Sequence, residues 1–98
     1  MAIQATPFLM FQGEGRAAFD FYASTLPGAE IVDRTLFEEG GPGPVGGLAR
    51  GVLRVGALTL FMNDSPMPHA FSFTPSFSIF VTCSTEEELR ALAAAFQD

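Results

Sequence analysis

The sequence contains no tryptophan and no lysine, and it has a single cysteine, Cys83. One cysteine cannot form an internal disulfide, which fits a reducing compartment, and we expect a cytoplasmic protein. No apolar run approaches the roughly 20 residues that a membrane-spanning helix needs. The N-terminus also lacks a charged start followed by an apolar stretch, so no signal peptide is predicted.

Basic residues are scarce: five arginines stand against eleven acidic residues, which gives a formal net charge of -6. A negatively charged surface repels the phosphate backbones of nucleic acids and the headgroups of anionic lipids. We therefore expect neither nucleic acid nor a membrane surface to be a partner of this chain.

Apolar material is abundant, at 48% hydrophobic against 16% charged residues. Disorder requires the reverse balance, so a folded chain is expected. With 98 residues it has the length of one domain with a core of moderate size. Its eleven phenylalanines need to be buried in that core, in a cavity or in a partner interface.

Apolar spacing and turn residues divide the chain into short strands and two helices. Pro27-Gly28 ends the first helix, and Ser84 and Thr85 precede Glu87 and Glu88 at capping-box spacing before the second. The predicted elements are a buried strand at 6–12, a helix at Arg16–Leu26, strands at 29–37, 48–55 and 58–63, loops at 38–47 and 63–75, a strand at Phe77–Cys83 and the final helix.

The order of elements is β-α-β-β-β followed by β-α, so a second unit begins as the first did and stops after its helix. This repetition predicts a single α+β domain over residues 1–98, built on a mixed sheet with mostly antiparallel pairs. The second unit lacks three strands that the first contains, so we expect a truncated second module.

Two stretches resemble a known family. The opening stretch TPFLMFQGEGRAAFDFYASTLPGAEIV, with Phe21-Tyr22 on the helix, is similar to the vicinal oxygen chelate superfamily. That superfamily includes glyoxalase I, bleomycin-resistance proteins and extradiol dioxygenases. The later stretch FMNDSPMPHAFSFTPSFSIFVTCSTEEEL resembles its PhnB-like branch, whose members are often labelled demethylubiquinone methyltransferase-like.

The resemblance implies a glyoxalase-like fold of two βαβββ modules around a cleft, commonly completed by dimerisation. Catalytic members hold a divalent metal there, on side chains of the inner strands. The corresponding positions here are Pro7, Leu60 or Phe61, and Ser76, and the last ligand falls in strands that the sequence does not contain. These residues make a poor ligand set, so no metal is expected.

The methyltransferase label finds no support in the glycine pattern. Gly13-Glu14-Gly15 follows a strand and opens a helix, but the third glycine of a dinucleotide-binding loop is missing. A helix entry turn is the simpler interpretation, and no cofactor is predicted.

Arg50 is the main candidate for a ligand contact. Strand alternation puts Arg50, Val52 and Arg54 on one face, and puts Gly51 and Leu53 on the face suited to packing under a helix. Arg50 could then anchor an anionic ligand by paired hydrogen bonds. The competing interpretation is a solvated arginine, or one paired with an acidic residue such as Asp33 or Glu38 of the neighbouring strand.

Other candidates have weaker support. His69, the only histidine, lies in a proline-rich loop near Asp64 and is either a general base or a structural residue. Asp64 suits a turn that ends the fourth strand, and Cys83 suits a small buried position. The predicted ligand contacts are Arg50, Asn63, His69, Leu60, Met62 and Phe80.

Two functions follow, one of them a small-molecule-binding protein with an apolar cleft, like the bleomycin-resistance proteins. The other is a divalent-metal-dependent enzyme of the glyoxalase or dioxygenase type, against which the missing ligands weigh. A degenerate module with only an interaction role is a third hypothesis.

An incomplete second module also leaves apolar surface and a sheet edge uncovered, so we expect a homodimer.

Overall fold

The computed structural model describes residues 3–74 and 76–97, so Pro75, where the second predicted loop ends, lies outside the described residues. Its described elements, in chain order, are β1 (Phe8–Phe11), α1 (Gly15–Thr25), β2 (Glu30–Leu36), β3 (Leu48–Val55), β4 (Leu58–Asp64) and α2 (Glu86–Ala95). The strands form one sheet in the order β1-β4-β3-β2. The pair β1 and β4 is parallel and the other two pairs are antiparallel, so the predicted mixed α+β fold is confirmed.

The core lies between α1 and one face of the sheet. Phe19 of α1 is fully buried and packs against side chains from three strands. A Cβ atom at Gly51 would lie only 2.8 Å from Cδ1 of Phe19, so the absence of a side chain there lets the ring lie against β3. The predicted alternation of β3 is therefore confirmed. The buried cluster consists of Leu9, Phe19, Leu48, Leu53 and Met62.

The buried carboxylate of Asp64, at the end of β4, joins three parts of the chain. One oxygen accepts hydrogen bonds from the backbone N–H groups of Gly13 and Gly15, at 2.8 and 2.7 Å. The other oxygen accepts from the N–H of Leu48 at 2.8 Å. Asp64 therefore takes the place of a local N-cap for α1, because Glu14 makes no side-chain cap bond.

The second helix begins as its sequence predicts. The hydroxyl of Thr85 accepts a hydrogen bond from the N–H of Glu88 at 3.0 Å, and the Glu88 carboxylate accepts from the N–H of Ser84 at 3.0 Å. This reciprocal arrangement is a capping box. No described residue of α2 is buried, and the helix meets α1 through Phe96, whose ring lies 5.0 Å from that of Phe21.

Two predicted features differ from the structure. The strand expected at Phe77–Cys83 forms no ladder within the described residues, because no neighbouring strand lies beside it. The first strand was expected to be buried, but β1 is at the edge of the sheet and the side chain of Phe8 is 58% exposed. In both segments the apolar pattern correctly predicted an extended backbone. It did not predict whether a neighbouring strand or other residues would cover that segment.

A bidentate ion pair joins α1 to β2, since the Arg34 guanidinium donates to both carboxylate oxygens of Asp20 at 2.8 Å. The hydrogen bond from Arg34 lowers the pKa of Asp20. A carboxyl group with a lowered folded-state pKa stabilises the fold above its ordinary pKa, and this contribution is lost as pH falls through the folded value.

Acid titration should reveal this contribution. When the pH is lowered from 7 to about 3, the urea concentration at the unfolding midpoint should fall less for the Asp20→Asn variant than for the parent chain. The pair is exposed, so the effect is small. Equal losses in the two proteins would show that the ion pair contributes nothing to acid sensitivity.

Within the part of the chain that the structure describes, neither helix has the length and hydrophobicity required to cross a lipid bilayer.

Candidate functional site

The sheet has one face that α1 does not cover. Strand alternation and the register place Phe8 opposite Phe61 and Met10 opposite Asn63 on this face, with Val52 beside Phe61. The aromatic contacts of α2 lie on the other side, on α1. We call this surface the open face, and it consists of Phe8, Met10, Arg50, Phe61, Asn63 and the buried side chain of Val52.

Arg50 lies at the centre of the open face. Its guanidinium carbon is 5.8 Å from the centroid of the Phe61 ring, within the range of a cation–π contact. The same guanidinium donates a hydrogen bond to the carboxylate of Asp33 on β2, and the arginine side chain remains 62% exposed. The pairing with Asp33 weighed from the sequence is therefore present, and the donors of Arg50 that Asp33 does not use face solvent.

The carboxylate of Asp33 is held in its charged form. The hydroxyl of Thr35 donates to it at 2.9 Å, and this bond lowers the pKa of Asp33, with further lowering by the bond and charge of Arg50. The ion pair therefore persists throughout the neutral range. Any anionic ligand that approaches Arg50 must compete with Asp33.

Two of the predicted contacts have unpartnered polar atoms. Oδ1 of Asn63 and Nε2 of His69 are buried and have no hydrogen-bond partner among the described residues. Nδ1 of His69 lies 3.2 Å from the carbonyl oxygen of Phe71, which can only accept, so Nδ1 carries the proton and Nε2 is an acceptor in the neutral ring. Both free atoms are therefore acceptors that call for a donor.

His69 is held at the end of β1 by contacts that the sequence did not reveal. The backbone N–H of His69 donates to Oε1 of Gln12 at 3.0 Å, and Nε2 of Gln12 donates to the backbone carbonyl of Phe71 at 3.0 Å. The imidazole stacks on the ring of Phe71, with centroids 3.7 Å apart. Gln12 is the residue that sequence reasoning missed, since a single glutamine after a strand carries no pattern of its own.

The remaining three predicted contacts lie elsewhere. Leu60 and Met62 are buried on the face that α1 covers, because they alternate with Phe61 and Asn63 along β4. Phe80 is 93% exposed and lies in the segment that follows the second loop. The structure therefore brings Arg50 and Asn63 together on one face but places Leu60 and Met62 on the other, and binding by this second pair stays a prediction.

A second concave surface, which we call the helix-side groove, has a volume of about 740 Å³. It opens between the sheet, α1, α2 and the extended residues 77–83, on the side opposite the open face. Leu60 and Phe80 both line it, so two of the predicted contacts share this surface rather than the open face. Its other main walls come from Leu9, Phe11, Tyr22, Leu92 and Phe96.

The residues do not fit a metal or a nucleotide-like cofactor. Of the positions that correspond to metal ligands, Pro7, Leu60 and Phe61 have no donor atom in their side chains, which leaves only the hydroxyl of Ser76. Within residues 3–74 and 76–97, no three His, Cys, Asp or Glu side chains gather. The amides of Gly13 and Gly15, which a phosphate would need, are already bound to Asp64.

Comparison with known proteins gives related folds. The PhnB protein from Bacillus cereus shares 35% identity over 95% of this chain and 72% of its own, with a TM-score of 0.87. Protein PA1353 from Pseudomonas aeruginosa has a TM-score of 0.63 at 23% identity, covering 96% of this chain and 71% of its own. A Staphylococcus aureus protein has a TM-score of 0.51 at 20% identity, covering 64% and 50%. The last two show the fold alone.

No curated protein matches the sequence. A family model described as 3-demethylubiquinone-9 3-methyltransferase matches residues 3–98, nearly the whole chain. The same description is used for the Bacillus cereus protein, whose fold and sequence are both similar. This chain therefore belongs to the PhnB-like family that bears the description 3-demethylubiquinone-9 3-methyltransferase.

Proposed function

We propose that this chain is a small-molecule-binding protein of the vicinal oxygen chelate type, and that its ligand lies on the open face. The observation that carries the proposal is the Arg50 guanidinium, which is held over the ring of Phe61 on a sheet face without a covering helix. Small-molecule sites combine a mostly apolar lining with a few directed polar groups, and the open face presents both kinds of side chain.

The polar groups restrict the chemistry of the ligand. Arg50 can only donate hydrogen bonds, so it suits a carboxylate, sulfonate or carbonyl oxygen. Phe8 and Phe61, whose ring centroids are 6.5 Å apart, offer apolar surface on the same face. The expected ligand therefore has an aromatic or apolar body with an acidic group.

The methyltransferase activity in the family description is not carried over to this chain. A methyl transfer needs a cofactor that supplies the methyl group, and the glycine turn before α1 is occupied by the carboxylate of Asp64. Binding alone requires no such group, and it uses side chains that the open face already presents.

Titration with anilinonaphthalene sulfonate, an anionic aromatic probe, tests the role of Arg50. A charged hydrogen bond contributes about 1.5–3 kcal/mol, so the Arg50→Gln variant should bind the probe about 10-fold to 100-fold more weakly. The Asp33→Asn variant should bind it more tightly, because the competing carboxylate is gone while the guanidinium remains.

The matched control is Arg34→Gln, which removes an arginine that is also exposed and also paired with an aspartate, but on another part of the sheet. We expect its affinity to equal that of the parent chain. If Arg34→Gln and Arg50→Gln weaken binding equally, the probe responds to net charge and the open face is not the site.

A further inference from the structure

The row of the sheet next to the open face carries a second arginine. Arg54 follows Val52 by two residues on β3, so strand alternation puts both side chains on the same side of the sheet. The register agrees with this placement, because Arg54 lies opposite Thr59 on β4, two residues before Phe61. Arg54 therefore extends the open face by one row, in the direction away from Arg50.

The guanidinium of Arg54 is less occupied than that of Arg50. Arg50 donates a hydrogen bond to the carboxylate of Asp33. The carboxylate that pairs with Arg54 belongs to Glu30, and at 3.8 Å from the guanidinium it is beyond hydrogen-bond distance. Both side chains of this longer pair are exposed, at 52% for Arg54 and 70% for Glu30. An exposed ion pair contributes little free energy, so an anionic ligand can displace Glu30 at small cost.

The surface between the two arginines is apolar. Val52 lies between Arg50 and Arg54 along β3, and it is almost fully buried there. The half-buried ring of Phe61, which lies opposite Val52 on β4, supplies the accessible part of this surface. Four residues of a strand span about 13 Å. The two guanidinium groups therefore stand at opposite ends of an apolar strip about as long as a two-ring aromatic molecule.

We propose that the ligand of the open face carries two acidic groups, one at each end of an aromatic or apolar body, and that Arg54 binds the second group while Arg50 binds the first. This inference rests on the proposed function and extends it from one anionic contact to two. An arginine donates paired hydrogen bonds to a carboxylate or sulfonate, so each end of the ligand is held in a fixed orientation. A chain with a net charge of -6 repels a dianion elsewhere on its surface, so binding of such a ligand depends on these two side chains.

Two probes that differ by one acidic group test the second contact: biphenyl monosulfonate, and the biphenyl disulfonate with one sulfonate at each end. Titration calorimetry with the full chain measures both dissociation constants. Because a hydrogen bond to a charged group adds to binding, the parent chain should bind the disulfonate about tenfold more tightly than the monosulfonate. Arg54→Gln should abolish this preference and leave the affinity for the monosulfonate unchanged, since that sulfonate stays on Arg50. Arg50→Gln should weaken the binding of both probes.

The matched control is Arg90→Gln, because Arg90 is also exposed and also paired with a glutamate, but lies on α2. It should retain the preference for the disulfonate. Equal losses of this preference in Arg90→Gln and Arg54→Gln would mean that the probe responds to net charge, and would overturn the inference.

The same titrations separate this inference from the proposed function. If Arg50→Gln weakens both probes while Arg54→Gln keeps the preference for the disulfonate, the second acidic group is wrong and the proposed function stands. A parent chain that binds the two probes with equal affinity has the same meaning. If Arg50→Gln changes neither affinity, the open face is not the site, and the inference fails together with the proposed function.

Discussion

Replacing Asp64 with alanine is expected to lower the free energy of unfolding by about 3–5 kcal/mol, because two buried N–H groups and one part-buried N–H group lose their acceptor. Those groups belong to the turn before α1 and to the first residue of β3. Chains of this length are stable by only about 5–15 kcal/mol in total, so the variant should be close to unfolding. Urea unfolding followed by circular dichroism measures the difference.

The isosteric variant Asp64→Asn separates hydrogen bonding from packing. An amide keeps one acceptor oxygen but turns an N–H₂ group towards a backbone donor, so we expect it also to destabilise the fold strongly. Asp20→Asn is the control, since it removes a carboxylate of the same kind from an exposed ion pair. Equal unfolding midpoints for the parent chain and Asp64→Asn, at one protein concentration, contradict this role of the carboxylate.

The contact between Phe19 and Gly51 should give the second large effect. Phe19→Ala empties the centre of the core and should cost about 3–5 kcal/mol. Gly51→Ala should cost about 1–3 kcal/mol, because the new methyl group meets ring atoms at 2.8 and 2.9 Å.

A double-mutant cycle tests whether these two costs share one cause. When the ring of Phe19 is absent, the closest remaining neighbour of the methyl group of Gly51→Ala is the end of the Leu48 side chain at 3.0 Å, so the second substitution should cost much less in that background. The measurement is the free energy of unfolding of the four proteins. If the two costs are additive, Gly51 is required for its backbone conformation and not for the close approach of the Phe19 ring.

Local patterns predicted much of the fold. The capping box of Thr85 and Glu88 placed the start of α2, because both partners lie within one turn. Alternation along β3 assigned Gly51 and Arg50 to opposite faces, and the structure confirms both assignments. These signals depend on residues close in sequence, whose geometry is set by the period of the element.

Contacts between residues that are far apart in the sequence could not be predicted from local patterns. Asp64 resembled a simple turn residue, and its partners Gly13 and Gly15 lie some fifty residues away. The segment 77–83 has the composition of a strand, but composition does not supply a neighbour. A strand forms only where another edge accepts it, and no such edge lies beside it within one described chain.

The candidate site also combines features that the sequence predicted with features that only the structure shows. Asn63 and His69 were chosen by residue type, and the structure gives both an unpartnered acceptor atom. Leu60 and Met62 are apolar residues of β4, and the structure buries both on the face of the sheet that α1 covers. Alternation along β4 separates these two from Asn63, and the same argument that succeeded for β3 applies to them without any structural information.

The central claim, that the ligand surface is the open face, is tested most directly by mapping amide chemical shifts of the isotope-labelled protein during titration with anilinonaphthalene sulfonate. The account predicts the largest changes at Arg50, Phe61 and Asn63, saturating together. Changes confined to Tyr22, Phe96 and their neighbours would place the probe in the helix-side groove and contradict the account.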